Sequence, residues 1–289
     1  MNSLPKTFRT VCYAPKELTP QMSDLVRVGR NADGGYLLPR QVLVEINGCL
    51  SFGLGAEWSF EQALLELKKE EISPINIVFF DASISVFGII KSLIYMARRT
   101  VYEVRSRRPK LERKFRFEDL KRSLIALVAY LPTFRIRKNS MVHIRKFVVK
   151  SPSKKNEISF IDALSYRLDP KRSIVKIDIE GGEWDLLCGR EDVDLLADVP
   201  VLIMEMHDTR RDQFIKVVEL LKSHFWIAHL HGNTSDRCTD TGMPLYLEMT
   251  FVNKRYTPEP GYRKHLPLDG LDFPVRPGEA PYEFVFSNA

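Results

Sequence analysis

Short runs of β-branched and aromatic residues alternate along this chain with stretches spaced as amphipathic helices, and that alternation limits the fold more than any other feature. Residues 49–53, 76–80, 142–149, 173–179, 199–206, 225–230 and 245–252 read as strands. Residues 59–69, 158–168, 183–188 and 212–223 carry the helical spacing. The strand runs are mostly apolar, as strands are when both faces of a sheet are covered. Seven such runs joined by helices predict an α/β fold, a doubly wound and mostly parallel seven-stranded sheet.

One interval departs from this rhythm. Residues 81–141 separate the second and third strand runs, where a crossover needs roughly a dozen. Phe87, Ile90, Ile94, Ala97, Val101 and Val104 form one apolar helix stripe, with Lys91, Arg98 and Arg105 on another face. Leu120, Leu124, Leu127 and Leu131 form a second stripe, ended by Pro132. Residues 86–145 hold 16 Lys and Arg against 4 acids, a net of +12, in a chain of net +6. The rest of the chain is therefore mildly acidic. The expected organisation is a catalytic domain from 1–85 and 146–255, a basic helical insertion at 86–145, and a proline-rich extended segment at 256–289 packed on the domain.

Three roles suit the insertion: a lid or homodimer contact with solvated charges, a docking surface for an anionic acceptor, or peripheral contact with an anionic membrane face. No nucleic-acid recognition motif accompanies the charge, and nucleic acid is not an expected partner. The longest apolar run, 124–131, is far short of a membrane span. The first 18 residues lack the apolar core of a secretion signal, and Cys12, Cys49, Cys188 and Cys238 are scattered. A cytoplasmic protein with reduced thiols is the expectation, with the inner membrane face as the site of any peripheral contact.

In open α/β sheets, ligands bind beyond the carboxyl ends of the strands, near the point where strand order reverses. The first strand run ends in a turn bearing Gly53 and Gly55, followed by Glu57 and Trp58. A plain glycine turn explains that segment alone about as well as a ligand does. The second run ends at Asp81, where a carboxylate can take two ribose hydroxyls. Together they point to an adenosine-containing cofactor. A dinucleotide would want a third glycine where Trp58 stands, and Glu57 would repel its phosphates. A sulfonium carries positive charge and no phosphate, so S-adenosyl-L-methionine suits the turn better. The fourth run ends with Asp178, Glu180 and Glu183, the last of which also serves a helix's first turn. The fifth ends with Glu205 and His207, and the sixth with His229 and His231; each pair shares one side of its strand.

Asp33-Gly34-Gly35-Tyr36, Ser-Phe-Gly-Leu-Gly at 51–55 with Glu-Trp-Ser-Phe-Glu at 57–61, Phe80-Asp81, the Lys-x-Asp-x-Glu-Gly-x-Glu-Trp segment at 176–184, Glu-x-His at 205–207 and His-x-His-x-Asn at 229–233 resemble the FkbM-type methyltransferases. That family belongs to the class I, Rossmann-like S-adenosylmethionine-dependent superfamily. The resemblance spans roughly residues 25–255 without the insertion. It implies a seven-stranded sheet with the final strand antiparallel, and O-methylation of sugars, glycans or related metabolites. Phe52, Gly53, Leu54, Gly55, Glu57 and Trp58 would lie around the donor, with Asp81 and Ala82 at its ribose and Asp178 near the methyl group. The chain departs from the family in having Glu57 at the usual third glycine and in carrying the basic insertion.

For transfer to a hydroxyl, the expected catalytic set is Asp178, Glu180, Glu205, His207 and His231, with His207 or His231 as base and the acids orienting it or the acceptor. A metal variant uses Asp178, Glu205 and His207 as ligands for Mg²⁺ or Mn²⁺. Two competing readings are an NAD-dependent sugar oxidoreductase and a non-catalytic binding protein on the same fold. Trp58 counts against the first, and the acids and histidines at four strand ends against the second.

Overall fold

The structure is a computed structural model that describes residues 11–22, 24–55, 58–69, 75–84, 94, 98, 140–234, 238–240, 242–257, 261, 265–275 and 279–286. Of the basic insertion, residues 86–93, 95–97 and 99–139 lie outside the described residues, as does Glu57.

Seven strands form the central sheet: β1 (Gly48–Phe52), β2 (Asn76–Phe80), β3 (Met141–Ile144), β4 (Ser173–Ile177), β5 (Val201–His207), β6 (Phe225–Gly232) and β7 (Tyr246–Asn253). Their spatial order is 3-2-1-4-5-7-6. β7 runs antiparallel to β5 and β6, while the pairs from β3 across to β5 are parallel. The α/β class, the seven strands and the reversed last strand all match the expectation. Sequence order reverses between β1 and β4, which are hydrogen-bonded neighbours, and this places the switch point there.

The apolar character of the strands follows from cover on both faces. On one face Phe52, Phe80, Ile177, Met204 and Met206 pack with Phe160, Trp184 and Phe214. On the other, Cys49, Phe79, Ile174, Ile203 and Val252 meet Trp58, Phe60 and Leu64 around the helix Ser59–Leu67. The antiparallel hairpin Leu25–Gly29/Gly35–Pro39 covers this second face through Leu37 and Leu38. Its bend needs glycine: Gly29 has φ +102°, and a Cβ there would stand 2.1 Å from the Gly34 carbonyl oxygen.

Two expectations change. The single strand at 142–149 is two: Met141–Ile144 joins the sheet beside β2, and Phe147–Val149 leaves it to pair in parallel with Glu157–Ser159. Arg145 and Lys146 make the break, with the Lys146 N–H turned back onto the Ile144 carbonyl at 2.8 Å. The sheet thus takes residues 141–144, which the insertion boundary had included. The helix expected over 158–168 starts at Phe160, where Ser159 caps it by accepting the Asp162 N–H.

The chain ends meet in a small sheet that periodicity did not reveal. Glu283–Phe286 lies parallel to Val11–Ala14 and antiparallel to His265–Leu266. Leu266, Tyr282, Phe284 and Phe286 extend the first core. Among the described residues no helix is long and apolar enough to cross a membrane.

Candidate active site

At the switch point the ends of β4, β1 and β2 touch through backbone. The Asp178 N–H donates to the Phe52 carbonyl at 2.9 Å, and the Gly53 N–H to the Phe80 carbonyl at 3.0 Å. Gly53 has φ +87°, and a Cβ there would lie 1.6 Å from the Asp178 carbonyl oxygen, so only glycine fits. Gly55 has φ +54° but meets no described atom within 4 Å of its would-be Cβ. The turn is therefore packed hard on the sheet side and meets no described atom beyond it.

Asp81, at the end of β2, holds this turn in place. Its Oδ2 accepts from the N–H groups of Leu54 at 2.9 Å and Gly55 at 3.2 Å. Its Oδ1 accepts from the N–H and hydroxyl of Ser83 at 2.7 and 2.5 Å, and from the Ile84 N–H at 3.3 Å. Burial raises the Asp81 pKa, but these hydrogen bonds outweigh it and hold the carboxyl below its ordinary range. A ribose diol would reach Oδ1 by replacing the Ser83 contacts. Three residues expected around the donor are core residues: Phe52, Leu54 and Trp58 are 0%, 2% and 4% exposed. Of these, the backbone alone can face a ligand. Ala82 lies beside Asp81 at the half-buried rim.

Strand alternation gathers the polar groups on the second face, toward the carboxyl ends. Ser51 pairs in register with Lys176, and Glu205 with Glu248, which pairs in turn with His231. Lys176 is buried and bonds Asp178 Oδ2 at 3.1 Å. Burial pulls the Lys176 pKa down, but Asp178, Glu61 and Glu205 more than reverse this and keep it charged. Ser51 donates to the buried Glu61 at 2.6 Å.

His207 is set by a residue that the sequence reading left as a helix-start acid. Glu183 Oε1 accepts from both the His207 N–H (2.8 Å) and Nδ1 (2.9 Å), and its Oε2 accepts from the Gly181 N–H at 3.0 Å. Trp184 Nε1 donates to the His207 carbonyl at 2.7 Å, and the Tyr246 ring centroid lies 5.0 Å from the imidazole. Asp178, Glu205 and His207 each place one ligand-type atom within 4.8 Å of the others. Glu205 also accepts from Asn233 Nδ2 at 2.9 Å. Burial, then Asp178, pushes the Glu205 pKa up to about 8. Burial lowers the His207 pKa, but the Glu183 hydrogen bond and the charges of Glu205, Glu183 and Asp178 carry it up to about 9. Glu183 thus fixes the ring with Nδ1 toward itself and Nε2 toward Glu180 at the rim. Glu180 is at the rim, its side chain 89% exposed and Oε2 3.5 Å from His207 Nε2.

His231 is elsewhere. It is two strands from Glu205, roughly 10 Å at one strand spacing each. Its Nδ1 is 3.5 Å from Asp272, which also meets His229 at 3.1 Å and accepts the Leu268 N–H at 2.6 Å. Arg27, Tyr36 and Glu248 line the small space around this group. The expected base role of His231 gives way to a buried polar tie between the sheet and Asp272 of the C-terminal segment. Asp178, Glu205, His207 and the rim residue Glu180 form the cluster; Glu183, Lys176 and Asn233 are the supporting residues that sequence reasoning missed. Glu183 and Lys176 stood inside the quoted motif, and Asn233 at the end of another, but nothing in spacing reveals which side chain a partner will hold.

No protein-family profile matches the chain, and no curated protein matches it. A solved structure with some likeness is Sp1610 of Streptococcus pneumoniae, described as a candidate tRNA (m1A22) methyltransferase in complex with S-adenosyl-L-methionine. The identity is 10% and the TM-score 0.33, over 74% of this chain and 70% of that one. So remote a likeness carries no weight for fold or function.

Proposed function

We propose that this chain is an S-adenosylmethionine-dependent methyltransferase of the FkbM type, acting on a hydroxyl of a sugar, glycan or related metabolite. One observation carries the reading: an open glycine turn and the Asp178–Glu205–His207 cluster adjoin at the switch point, joined by the Gly53–Asp178 backbone contact. Fold alone licenses no function; this placement of ligand-ready space beside a polar cluster supports one.

The residues present fit a nucleoside without phosphates. Trp58 stands at the N-cap of the helix Ser59–Leu67, where a dinucleotide fold would want glycine beside the pyrophosphate. The buried Glu61 in that first turn adds negative charge. This disfavours the NAD-dependent oxidoreductase. When bound, S-adenosylmethionine would supply an electrophilic methyl: the acceptor oxygen bonds its carbon as the carbon–sulfur bond breaks, the electron pair stays on sulfur, and the hydroxyl proton passes to a carboxylate of the cluster or to water. The chain's share is to hold the acceptor oxygen at the cluster and accept hydrogen bonds from it, since positioning supplies much of such a rate. Lys176 and Glu183 fix Asp178 and His207 for that task. The basic insertion enters between β2 and β3, and its charge would attract an anionic acceptor.

Calorimetric titration with S-adenosylhomocysteine, with NAD in parallel, tests this reading. Homocysteine-nucleoside binding at one site per chain, weakened tenfold or more by Asp81→Ala but not by Ser83→Ala, is the expected result. Binding of NAD alone would establish the oxidoreductase, and binding of neither would remove the catalytic reading.

A further inference from the structure

We propose that Asp178, Glu205 and His207 form a binding site for one divalent first-row cation of the Mn²⁺ type, which would hold the acceptor oxygen. The inference rests on reading this mouth as the active site, and deepens it by naming a metal.

The geometry has two parts. First, the three side chains come from the ends of neighbouring strands, and their candidate ligand atoms all lie within 4.8 Å of one another. Ligands at about 2.1 Å from one ion are about 3 Å apart when adjacent and about 4 Å when opposite. Small side-chain rotations close that gap. Second, each candidate ligand is held from outside the cluster by a different residue. Lys176 takes Asp178 Oδ2, leaving Oδ1. Asn233 takes Glu205 Oε1, leaving Oε2. Glu183 takes His207 Nδ1, leaving Nε2 on the side of the cluster's mouth. A carboxylate on the far nitrogen of a ligating imidazole, and hydrogen bonds to ligating carboxylates, are the outer contacts that metal sites use to fix tautomer and aim.

Charge agrees with geometry. The half-buried carboxylates of Asp178 and Glu205 lie close together, and Lys176 bonds only the Oδ2 of Asp178 among their four oxygens. Buried carboxylates demand compensation, and a divalent ion supplies it where two of them converge. Two carboxylate oxygens with one imidazole suit Mn²⁺ better than Mg²⁺, which prefers oxygen alone. Three protein ligands leave room in an octahedral shell for solvent and an acceptor hydroxyl. A sugar hydroxyl on such an ion is more acidic, so its proton can leave to water or the rim carboxylate Glu180.

The test uses the full chain, stripped with EDTA, and Mn²⁺ as the probe. Loss of the free-ion paramagnetic resonance signal reads binding, and pulsed resonance reads nitrogen coupling to bound Mn²⁺. The expected result is one ion per chain, nitrogen coupling lost in His207→Gln, and affinity lowered at least tenfold in Glu205→Gln. Circular dichroism confirms that each variant is folded, and the two sites keep the test decisive if one variant is not. Absence of binding at 1 mM Mn²⁺, or binding unchanged in both variants, would overturn the site. Mn²⁺ binding without S-adenosylhomocysteine binding would leave the metal and remove the methyltransferase. The reverse outcome would do the opposite.

Discussion

Gly53 and Gly55 are two residues apart, both with positive φ, yet the structure assigns them opposite consequences on substitution. An alanine at Gly53 would put its methyl 1.6 Å from the Asp178 carbonyl oxygen, against a floor of about 3.0 Å for real contacts. The β1 and β4 ends must therefore part by about 1.4 Å (3.0 − 1.6). That strains or breaks the Asp178–Phe52 backbone hydrogen bond, worth about 1 kcal/mol and more when a buried group is left unpaired. The left-handed conformation adds about 1–2 kcal/mol. Gly53→Ala should lose about 3–5 kcal/mol, a large part of a typical folding free energy. Gly55→Ala pays only the conformational term, about 1 kcal/mol, because no described atom lies within 4 Å. Its methyl instead occupies the open side where the donor is proposed to approach, so S-adenosylhomocysteine affinity should fall tenfold or more. Urea unfolding followed by tryptophan fluorescence, with calorimetry on the same samples, reads both quantities. Equal destabilisation by the two substitutions, or Gly53→Ala within 1 kcal/mol of wild type, would refute the reasoning about the turn. Unchanged ligand affinity in Gly55→Ala would refute the placement of the donor.

Asp272 gives a pH-dependent prediction. Burial raises its pKa, but His229 and His231 overcome this and hold it well below the ordinary carboxylate range. A depressed folded pKa means that its contribution is complete above the unfolded value, about 3.9, and is lost as pH falls below it. The wild type should lose about 1.4 kcal/mol per pH unit from this group below that value. Asp272→Asn should be less stable at pH 7 and lack this part of the acid slope, as urea unfolding between pH 3 and 7 would show. Lys176→Met should cost about 3–5 kcal/mol by stranding buried carboxylates. Adding Glu61→Gln should restore part of it, and a double-mutant cycle with no coupling would show that the two do not share charge.

The succession of strands and helices along the chain was readable because each run carries its own apolar pattern. Residues 77–80 are uniformly apolar, and 173–177 are apolar apart from Ser173 and Lys176, as strands covered on both faces are. The site positions were readable for a related reason: in such a sheet chemistry collects where strands end, so Asp178, Glu205 and His207 follow once the strands do. The errors came from features with no period. Trp58 was expected beside the donor, but its side chain is buried in the same core cluster as Phe60 and Leu64. His231 shares a pattern with His207 at the strand end, yet the antiparallel β7 lies between their strands. Its partner Asp272 is 41 residues on, in a segment without regular spacing. Glu183 looked like a helix-start acid because sequence shows its neighbours along the chain and not the imidazole against it.

The non-catalytic reading has to account for where these charges are. Ser51, Lys176, Glu205 and Glu248 occupy inward-facing positions on a face whose other half is Cys49, Ile174, Ile203 and Val252. Apolar residues of similar size would pack there without desolvating charge, and such replacements are often neutral or stabilising. The buried acids are costly enough that burial pushes the Glu248 pKa well above its ordinary range, with Glu205 adding to it. A scaffold needing only stability gains nothing from this arrangement. A site that must hold a proton, a cation or a polar acceptor does, and the cost falls at the carboxyl ends of β4 and β5, beside the switch point. The same polar residues at the amino ends of those strands would lie away from the crevice at the carboxyl ends where ligands bind in such sheets.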